Sequence, residues 1–324
     1  MADPVVVPAA LDGVRVDRAV CILSGISRRS ASDLIAAGGV TIGGATVAER
    51  NQKVRHGDLV ALDLDLLDGG AESAGSSAAR AAGVEFSVVH ADEHLIVVDK
   101  PAGLVVHHGA GHHGGTLADG LLQRFPDLAD LVAAGADPRR PGIVHRLDKG
   151  TSGLMVVARS PTALSSLTEQ LKKRSARRQY LALVAGHLAH DEGIVDAPVG
   201  RSGRVATRMA VTPKGRTART AYRVLERIAR PPEATLIEAT LETGRTHQVR
   251  VHMAAIGHPV AGDDRYGETS RTSALVAGAT PPVASGRVFL HAHRLTVEHP
   301  DRGRATWSSP LPADLEAVLE ARRI

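Results

Sequence analysis

The chain has 324 residues, enough for about two domains, with 43% apolar and 23% charged side chains and a net charge of +4. It contains no run of about 18 apolar residues, and its first residues lack the basic and apolar regions of a secretory signal. A single cysteine excludes an internal disulfide. These features exclude a membrane-spanning protein, and we expect a cytoplasmic location.

Residues 11–67 are predicted to form a small α/β domain. Ser27 is the expected N-cap of its second helix, and Gly43-Gly44 separates two short β-type runs in the manner of a hairpin. The predicted elements, in chain order, are a helix over 17–24, a helix over 28–37, a hairpin over 40–47 and a strand over 59–64.

Residues 68–83 (DGGAESAGSSAARAAG) are predicted to form a flexible linker, because such small and polar residues cannot bury a core. A second domain is expected over 84–324. Its strands outnumber its helices without regular alternation, which predicts an α+β fold built on a largely antiparallel sheet. The predicted elements are strands over 86–90, 95–99, 154–158, 179–184, 221–228, 236–241 and 288–297, and helices over 161–173, 245–256 and 313–322.

Positive charge is concentrated in two segments of the second domain. Residues 139–178 hold ten basic and two acidic side chains, and residues 201–230 hold nine basic and one acidic. Such segments in a modestly basic protein predict a surface that binds a polyanion, and nucleic acid fits best. The alternative is an ordinary solvated surface in an arginine-rich protein.

The most informative string is GIVHRLDKGTSG at 142–153. Asp148 lies there between Arg146 and Lys149, in a polar loop flanked by apolar strands. Because cations surround this carboxylate, we expect it to stay ionised and to act as a nucleophile or an electrostatic stabiliser. An aspartate that only satisfies its own turn is the alternative.

Five motifs occur together in the second domain: KPAG at 100–103, HRLDKGTSG at 145–153, QYLALVAG at 179–186, ETGRTHQVRVH at 242–252 and GHPVAGDDRYG at 257–267. As a set and in this order they resemble the RluA/RluD family of RNA pseudouridine synthases. The segment VRVDRAVCILSGISRRSASDLIAAGGVTIGGATVAERNQKVRHGDLVALDL resembles an S4-like RNA-binding domain.

The resemblance implies the pseudouridine synthase fold and the isomerisation of uridine to pseudouridine in RNA, without a cofactor or a metal. It implies that Asp148 is the essential aspartate and that Arg250 pairs with it. Tyr180 is implied to stack on the target uracil, and it is also a candidate for removing the C5 proton. Whether Asp148 acts at the sugar or at the base stays open.

The resemblance also implies RNA contacts. Arg146, beside the aspartate, is expected to face the RNA, and Arg245 and His247 are expected to contact phosphate or ribose. In S4-like domains the second helix and the following loop lie on RNA, which implicates Arg28, Arg29, Lys53 and Arg55.

An S4-like domain ahead of the catalytic domain is typical of family members that act on ribosomal RNA. Large-subunit ribosomal RNA is therefore favoured over transfer RNA, with pre-ribosomal particles as further partners, and we expect a monomer. One alternative is a non-catalytic RNA-binding or ribosome-assembly protein. Another is a hydrolase that uses Ser152 with His145 and Asp148.

A histidine cluster over 107–113 is predicted to hold no metal. His107, His108, His112 and His113 lie in a glycine-rich loop, and the sequence offers no acidic or cysteine ligand beside them.

Overall fold

The structure is a computed structural model that describes residues 4–24, 26, 28–47, 49–63, 83–108, 115–205, 207–280 and 282–323. It divides the chain into two compact units, Met1–Ala79 and Arg80–Ile324. Apart from Gly83, the predicted linker over 68–83 lies outside the described residues, as does Ser27. No helix in the described ranges has the length and apolar character needed to cross a membrane.

The first unit joins two helices and a small antiparallel sheet. Its elements are β1 (Val5–Val6), a 3-10 turn (Ala9–Leu11), α1 (Val16–Ser24), α2 (Arg28–Ala36), β2 (Val40–Ile42), β3 (Ala45–Thr46) and β4 (Leu59–Leu62). The strand order is β1-β4-β2-β3. Val16 and Val20 of α1 and Leu34 of α2 share one core with Val40 and Val60 of the sheet. The two predicted helices and the predicted hairpin are confirmed.

The second unit is built on a nine-stranded sheet. Its elements are β5 (Ser87–Ala91), β6 (Leu95–Lys100), α3 (Leu117–Arg124), a 3-10 segment (Pro126–Val132), β7 (Ser152–Ala158), α4 (Pro161–Lys173), β8 (Arg177–Ala185), β9 (Glu192–Asp196), β10 (Val199–Arg201), β11 (Met209–Val211), β12 (Arg219–Ile228), β13 (Ala234–Leu241), α5 (Gln248–Ala255), α6 (Thr269–Ala274), β14 (Leu290–His299), β15 (Gly303–Ser308) and α7 (Ala313–Arg323).

The strand order in this sheet is β5-β6-β7-β14-β8-β13-β12-β9, and β15 pairs with β14. The pairings are antiparallel except for that of β7 with β14, which is parallel. Strands β10 and β11 form a separate hairpin. The predicted α+β class with a largely antiparallel mixed sheet is confirmed, although the strand predicted over 288–297 runs over Leu290–His299.

The middle of the sheet is covered on both faces. Alternate residues of β6 enter different cores: Ile96 and Val98 belong to the main core, whereas Leu95 and Val97 pack in a second core with Leu167 of α4. Strand β7 is buried along its whole length. Its continuous apolar sequence follows from this position, because a strand covered on both faces needs no polar side. The loop that ends in β7 is thereby held on rigid structure.

Helix α4 begins and ends as its sequence predicts. The Ser160 hydroxyl accepts a hydrogen bond from the Ala163 backbone N–H, and Pro161 occupies the first helical turn. The helix ends at Arg174, which adopts a left-handed conformation with φ 63°. This places Lys172, Lys173 and Arg174 at one end of the helix.

Gly153 is required where β7 meets β14. Its φ is 113°, and an added Cβ would lie 2.5 Å from the backbone nitrogen of Ala292 and closer still to its carbonyl oxygen. We expect Gly153→Ala to lower the free energy of unfolding of the second unit by about 2–5 kcal/mol. Urea denaturation followed by the fluorescence of Trp307, the single tryptophan, measures this change. Gly203→Ala is the control because its Cβ meets no atom within 4 Å. Equal losses in both variants contradict the prediction.

Candidate active site

A cavity of about 520 Å³ lies where the loop before β7, strand β8 and the turn before α5 come together. Asp148, Tyr180 and His247 line it. Its lining also includes a set of basic side chains: Arg140, Arg146, Lys172, Arg174, Arg178, Arg216 and Arg245. The cavity therefore combines the carboxylates of Asp148 and Glu242 and the phenol ring of Tyr180 with a strongly cationic wall.

Asp148 and Arg250 are in contact, although 102 residues separate them in the chain. The Arg250 Nη1 donates a hydrogen bond of 3.2 Å to Oδ2 of Asp148. Asp148 lies in the loop before β7, and Arg250 projects from the first turn of α5. The side chain of Arg250 is 6% exposed and that of Asp148 is 15% exposed. The arginine is therefore largely removed from water, while the carboxylate keeps access to the cavity.

A second carboxylate holds Arg250 from the other side. Asp263 is fully buried and accepts two hydrogen bonds from Arg250, 2.7 Å from Nε to Oδ2 and 2.9 Å from Nη2 to Oδ1. Backbone N–H groups of Arg265 and Tyr266 also donate to Oδ1. Burial lowers the pKa of Arg250, but Asp263 and then Asp148 more than offset this effect, so the pKa lies above its ordinary value. The guanidinium is a fixed cation beside Asp148.

His247 also faces Asp148 and contacts Tyr266. The Tyr266 oxygen accepts from the Met209 backbone N–H and lies 2.5 Å from Nδ1 of His247. The other ring nitrogen of His247, Nε2, lies 3.7 Å from Oδ1 of Asp148. Burial lowers the pKa of His247, and the charge of Asp148 only partly opposes this. The site therefore favours the uncharged form of the imidazole beside the carboxylate.

The turn before α5 differs from the predicted helix over 245–256. The helix begins at Gln248, because His247 is left-handed with φ 57°. The Gln248 side-chain oxygen accepts from the Thr243 hydroxyl and from the Arg245 backbone N–H, which closes the turn. A non-glycine residue in this conformation is strained, and such strain is typical of functional sites. The residue in this conformation is the one that faces Asp148.

Tyr180 lies on β8 at the cavity wall and is 5% exposed. Burial raises the pKa of its phenol, and the negative charge of Asp148 acts in the same direction while Arg178 opposes it. The hydroxyl is therefore protonated when the cavity holds no substrate. A flat aromatic ring beside the carboxylate provides a surface on which a base can stack.

The predicted RNA-contacting residues lie in different surroundings. Arg146 is exposed at the cavity, and Arg245 is partly buried, with its Nε donating to the Thr217 carbonyl at 3.0 Å. In the first unit, Lys53 and Arg55 are exposed. The side chains of Arg28 and Arg29 lie outside the described residues.

The serine hydrolase alternative finds no support in the site. The Ser152 hydroxyl is buried and bonds to Nδ1 of His291 and to Arg287, both at 2.9 Å. The Nε2 of His145 accepts from the Val156 backbone N–H at 3.0 Å. Ser152 and His145 are thus bonded to other partners and not to each other or to Asp148.

The prediction that no acidic residue lies beside the histidine-rich loop is wrong. His108 does have an acidic neighbour, since its Nε2 lies 2.8 Å from Oδ2 of Asp119. The same carboxylate accepts from the backbone and the hydroxyl of Thr116 in the capping box of α3. His112 and His113 lie outside the described residues. The spacing of Thr116 and Asp119 is that of a capping box, a signal that the sequence prediction did not use.

His90, Asp92 and His299 also approach one another closely enough to hold a metal ion. The Nδ1 of His299 accepts from the backbone N–H groups of Asp301 and Arg302, so the proton of the neutral ring is on Nε2. That proton is donated to Asp92, 3.0 Å away. A nitrogen that carries a proton cannot ligate a metal, and the cluster is explained as a hydrogen-bond network that joins two turns.

The fold and the site can now be compared with those of known protein families. Residues 94–255 match the family model described as RNA pseudouridylate synthase. The chain belongs to the RNA pseudouridine synthase family, of the RluA/RluD type, and is an isomerase that acts on RNA. This membership sets aside the non-catalytic alternative.

Individual relatives support the assignment. Ribosomal large subunit pseudouridine synthase D of Nitrosomonas europaea is 44% identical, over 98% of this chain and 87% of its own length. The Pseudomonas aeruginosa protein of the same name is 41% identical, over 98% and 94%. Among solved structures, human RNA Pseudouridylate Synthase Domain Containing 1 is 27% identical with a TM-score of 0.55, over 72% of this chain and 87% of its own.

Proposed function

We propose that the protein converts specific uridines of large-subunit ribosomal RNA to pseudouridine, with Asp148 as the catalytic carboxylate. The observation that carries the proposal is the carboxylate of Asp148, held by Arg250 at the wall of a cationic cavity. The names of the relatives from Nitrosomonas europaea and Pseudomonas aeruginosa support ribosomal RNA as the substrate. Transfer RNA is the second candidate substrate, and pseudouridine mapping distinguishes it from ribosomal RNA.

The reaction is an internal rearrangement. The bond between ribose C1′ and uracil N1 breaks, the uracil turns, C1′ bonds to C5, and the C5 proton is replaced by one on N1. Atoms and electrons balance within the nucleotide, so the rearrangement needs no oxidant and no group donor. A uridine in folded RNA must first leave its stack at a cost of a few kcal/mol, and stacking on Tyr180 returns about 1–3 kcal/mol.

We propose different tasks for the two oxygens of Asp148. Oδ2 accepts a hydrogen bond from Arg250, which fixes the position of the carboxylate. Oδ1 lies 3.7 Å from Nε2 of His247, and we propose that this oxygen approaches the nucleotide. Attack on the sugar and attack on the base both stay open.

Tyr180→Phe separates stacking from proton transfer. The variant keeps the ring and loses the hydroxyl, which in the free protein is protonated because burial raises its pKa. If the phenol moves the C5 proton, turnover falls by about 10²-fold or more while RNA affinity changes little. Release of tritium from C5-labelled uridine in RNA measures turnover, and filter binding measures affinity. Turnover equal to that of the wild type excludes proton transfer by the phenol.

We further propose that the first unit adds RNA affinity through the S4-like surface. Lys53 and Arg55 are exposed, as such a role requires. Arg28 and Arg29 belong to the same proposal on sequence grounds. Binding to pre-ribosomal particles, a monomeric state and a cytoplasmic location likewise remain predictions from the sequence.

Site-resolved pseudouridine mapping tests the substrate. Unmodified large-subunit ribosomal RNA and a pool of unmodified transfer RNAs are incubated with the wild-type protein in separate reactions. We expect new pseudouridines at a few positions of the ribosomal RNA. Modification confined to transfer RNA contradicts the ribosomal substrate and keeps the enzyme, whereas no modification of either RNA contradicts both.

A further inference from the structure

Arg178 is a buried cation that lacks a partner among the described residues. It lies on β8, is 7% exposed and lines the cavity. Its Nε is shielded from solvent without a hydrogen-bond acceptor, and its guanidinium makes no ion pair in the described part of the chain. Burial lowers the pKa of Arg178, as expected for a charge without compensation. An unpaired buried charge is unfavourable and suggests that a ligand supplies the missing anion.

The surroundings of Arg178 are cationic. Burial lowers the pKa of Arg245, and so do the positive charges of Arg216, Arg174 and Arg178, which lie near it in the same cavity. Glu242 also lines this region, but its carboxylate accepts from Arg219 at 3.2 Å. Asp148, the other carboxylate of the cavity, accepts a hydrogen bond from Arg250. Guanidinium groups outnumber carboxylates in this space, which favours the binding of an anion.

Gly244 allows the chain to approach the Arg178 guanidinium. A Cβ at this position would lie 2.6 Å from Nη1 of Arg178, inside the normal contact distance. The glycine therefore leaves the guanidinium room beside the turn that carries Arg245 and His247. The arginine fork, with five donors in one plane, matches the oxygens of a phosphate.

We propose that Arg178, together with Arg216 and Arg245, binds a backbone phosphate of the RNA strand next to the uridine that enters the cavity. This rests on RNA as the substrate, as proposed above. Arg178 and Tyr180 are two residues apart on one strand, so their side chains project to the same face about 6.6 Å apart. A nucleotide whose base stacks on Tyr180 thus places its own backbone near Arg178.

Thermal unfolding of the full-length protein in inorganic phosphate tests the anion site without RNA. Ionic strength is held constant with chloride, and the variants are Arg178→Met and, as a control of equal charge change, Arg304→Met at an exposed position of β15. We expect saturating phosphate to raise the melting temperature of the wild type and of Arg304→Met by roughly 2–4 °C. Arg178→Met should melt higher without phosphate and should not respond to it.

RNA binding tests the source of the phosphate. With unmodified large-subunit ribosomal RNA, Arg178→Met should raise the Kd about tenfold and reduce the slope of log K against log salt by about one. Arg304→Met should leave both closer to the wild-type values. One combination of results overturns the RNA assignment: phosphate stabilises the wild type, but Arg178→Met binds RNA as tightly as the wild type does. The site then binds free phosphate and not the RNA backbone.

Gly244→Ala provides a second route if Arg178→Met does not fold. It keeps the charge and displaces the guanidinium, so the phosphate response should shrink and RNA affinity should fall. A stable Arg178→Met or Gly244→Ala protein with the full phosphate response overturns the proposal. Because the phosphate assay requires no catalysis, a wild type that responds to phosphate but modifies no RNA contradicts the proposed function and not the anion site.

Discussion

Asp148→Asn should abolish isomerisation, with kcat reduced by at least about 10³-fold, while the Kd for RNA changes less than about threefold. Asparagine has nearly the same shape and can still accept the hydrogen bond from Arg250, so the cavity keeps its form. It has no negative charge and is a poor nucleophile, which removes both tasks assigned to the carboxylate. Tritium release from C5-labelled RNA and filter binding give the two quantities.

The matched control for this prediction is Asp130→Asn, which removes one acidic charge at an exposed position away from the cavity. Its turnover should equal that of the wild type. Near-normal turnover in Asp148→Asn shows that another group performs the chemistry. A large loss of RNA affinity in Asp148→Asn shows instead that the residue acts in binding.

Asp263→Asn should cost both stability and activity. The carboxylate is fully buried and accepts from Nε and Nη2 of Arg250, whereas an asparagine turns its NH2 group toward one of these donors. A buried pair broken on one side loses about 3–5 kcal/mol, because the remaining charge is left without its partner. Arg250 then no longer has a fixed position beside Asp148, and we expect turnover to fall by about 10²-fold.

Asp264→Asn is the control for this second prediction, since it makes the same substitution one residue further on at an exposed position. Urea denaturation followed by Trp307 fluorescence measures stability, and tritium release measures turnover. A change below about 1 kcal/mol in Asp263→Asn means that water or another group compensates Arg250. Lost stability with full turnover means that Asp263 supports the fold and not the chemistry.

The sequence predicts the elements whose pattern has one clear physical cause. The apolar run of β7 is buried on both faces, and the Ser160–Pro161 start of α4 is a local capping signal. The hairpin around Gly43-Gly44 is equally local, since both glycines adopt positive φ. Each of these signals lies within a few residues, so no tertiary information is needed to interpret it.

Helix α3 is missed although Thr116 and Asp119 form a capping box at its start, but the other missed elements lack such a signal. Strands β9 and β15 carry many exposed residues, and the short strands of the β10–β11 hairpin and helix α6 have too few residues to show a period. The predicted start of α5, at residue 245, is three residues too early. His247 adopts a left-handed conformation that the local sequence does not predict. It is set by Gln248, whose side chain closes the preceding turn.

The residues of the site likewise divide into those that the sequence predicts and those that it misses. Asp148, Tyr180 and Arg250 follow from motifs, and the structure brings the first and third into contact. Asp263 and Tyr266 lie within the quoted GHPVAGDDRYG string, yet neither is assigned a role, because their partners come from elsewhere in the chain. The Tyr266 contact with Met209 spans 57 residues. A hydrogen-bond argument could have indicated Asp263, because a buried guanidinium has five N–H donors and Asp148 accepts from only one nitrogen.

The long separation of Asp148 from Arg250 has a consequence for folding. Their contact closes a loop of 102 residues, and Asp263 joins 13 residues later. Contacts so distant in sequence form late, because the entropy lost in closing the loop must be recovered from structure already folded. Strand β14 lies between β7 and β8 in the sheet, although it follows Asp263 in the chain. During synthesis, strands β5 to β7 and strands β8 to β13 can therefore form only as separate parts, while the carboxylate still lacks its cation. Catalytic competence then arrives late, when β14 joins the two parts of the sheet.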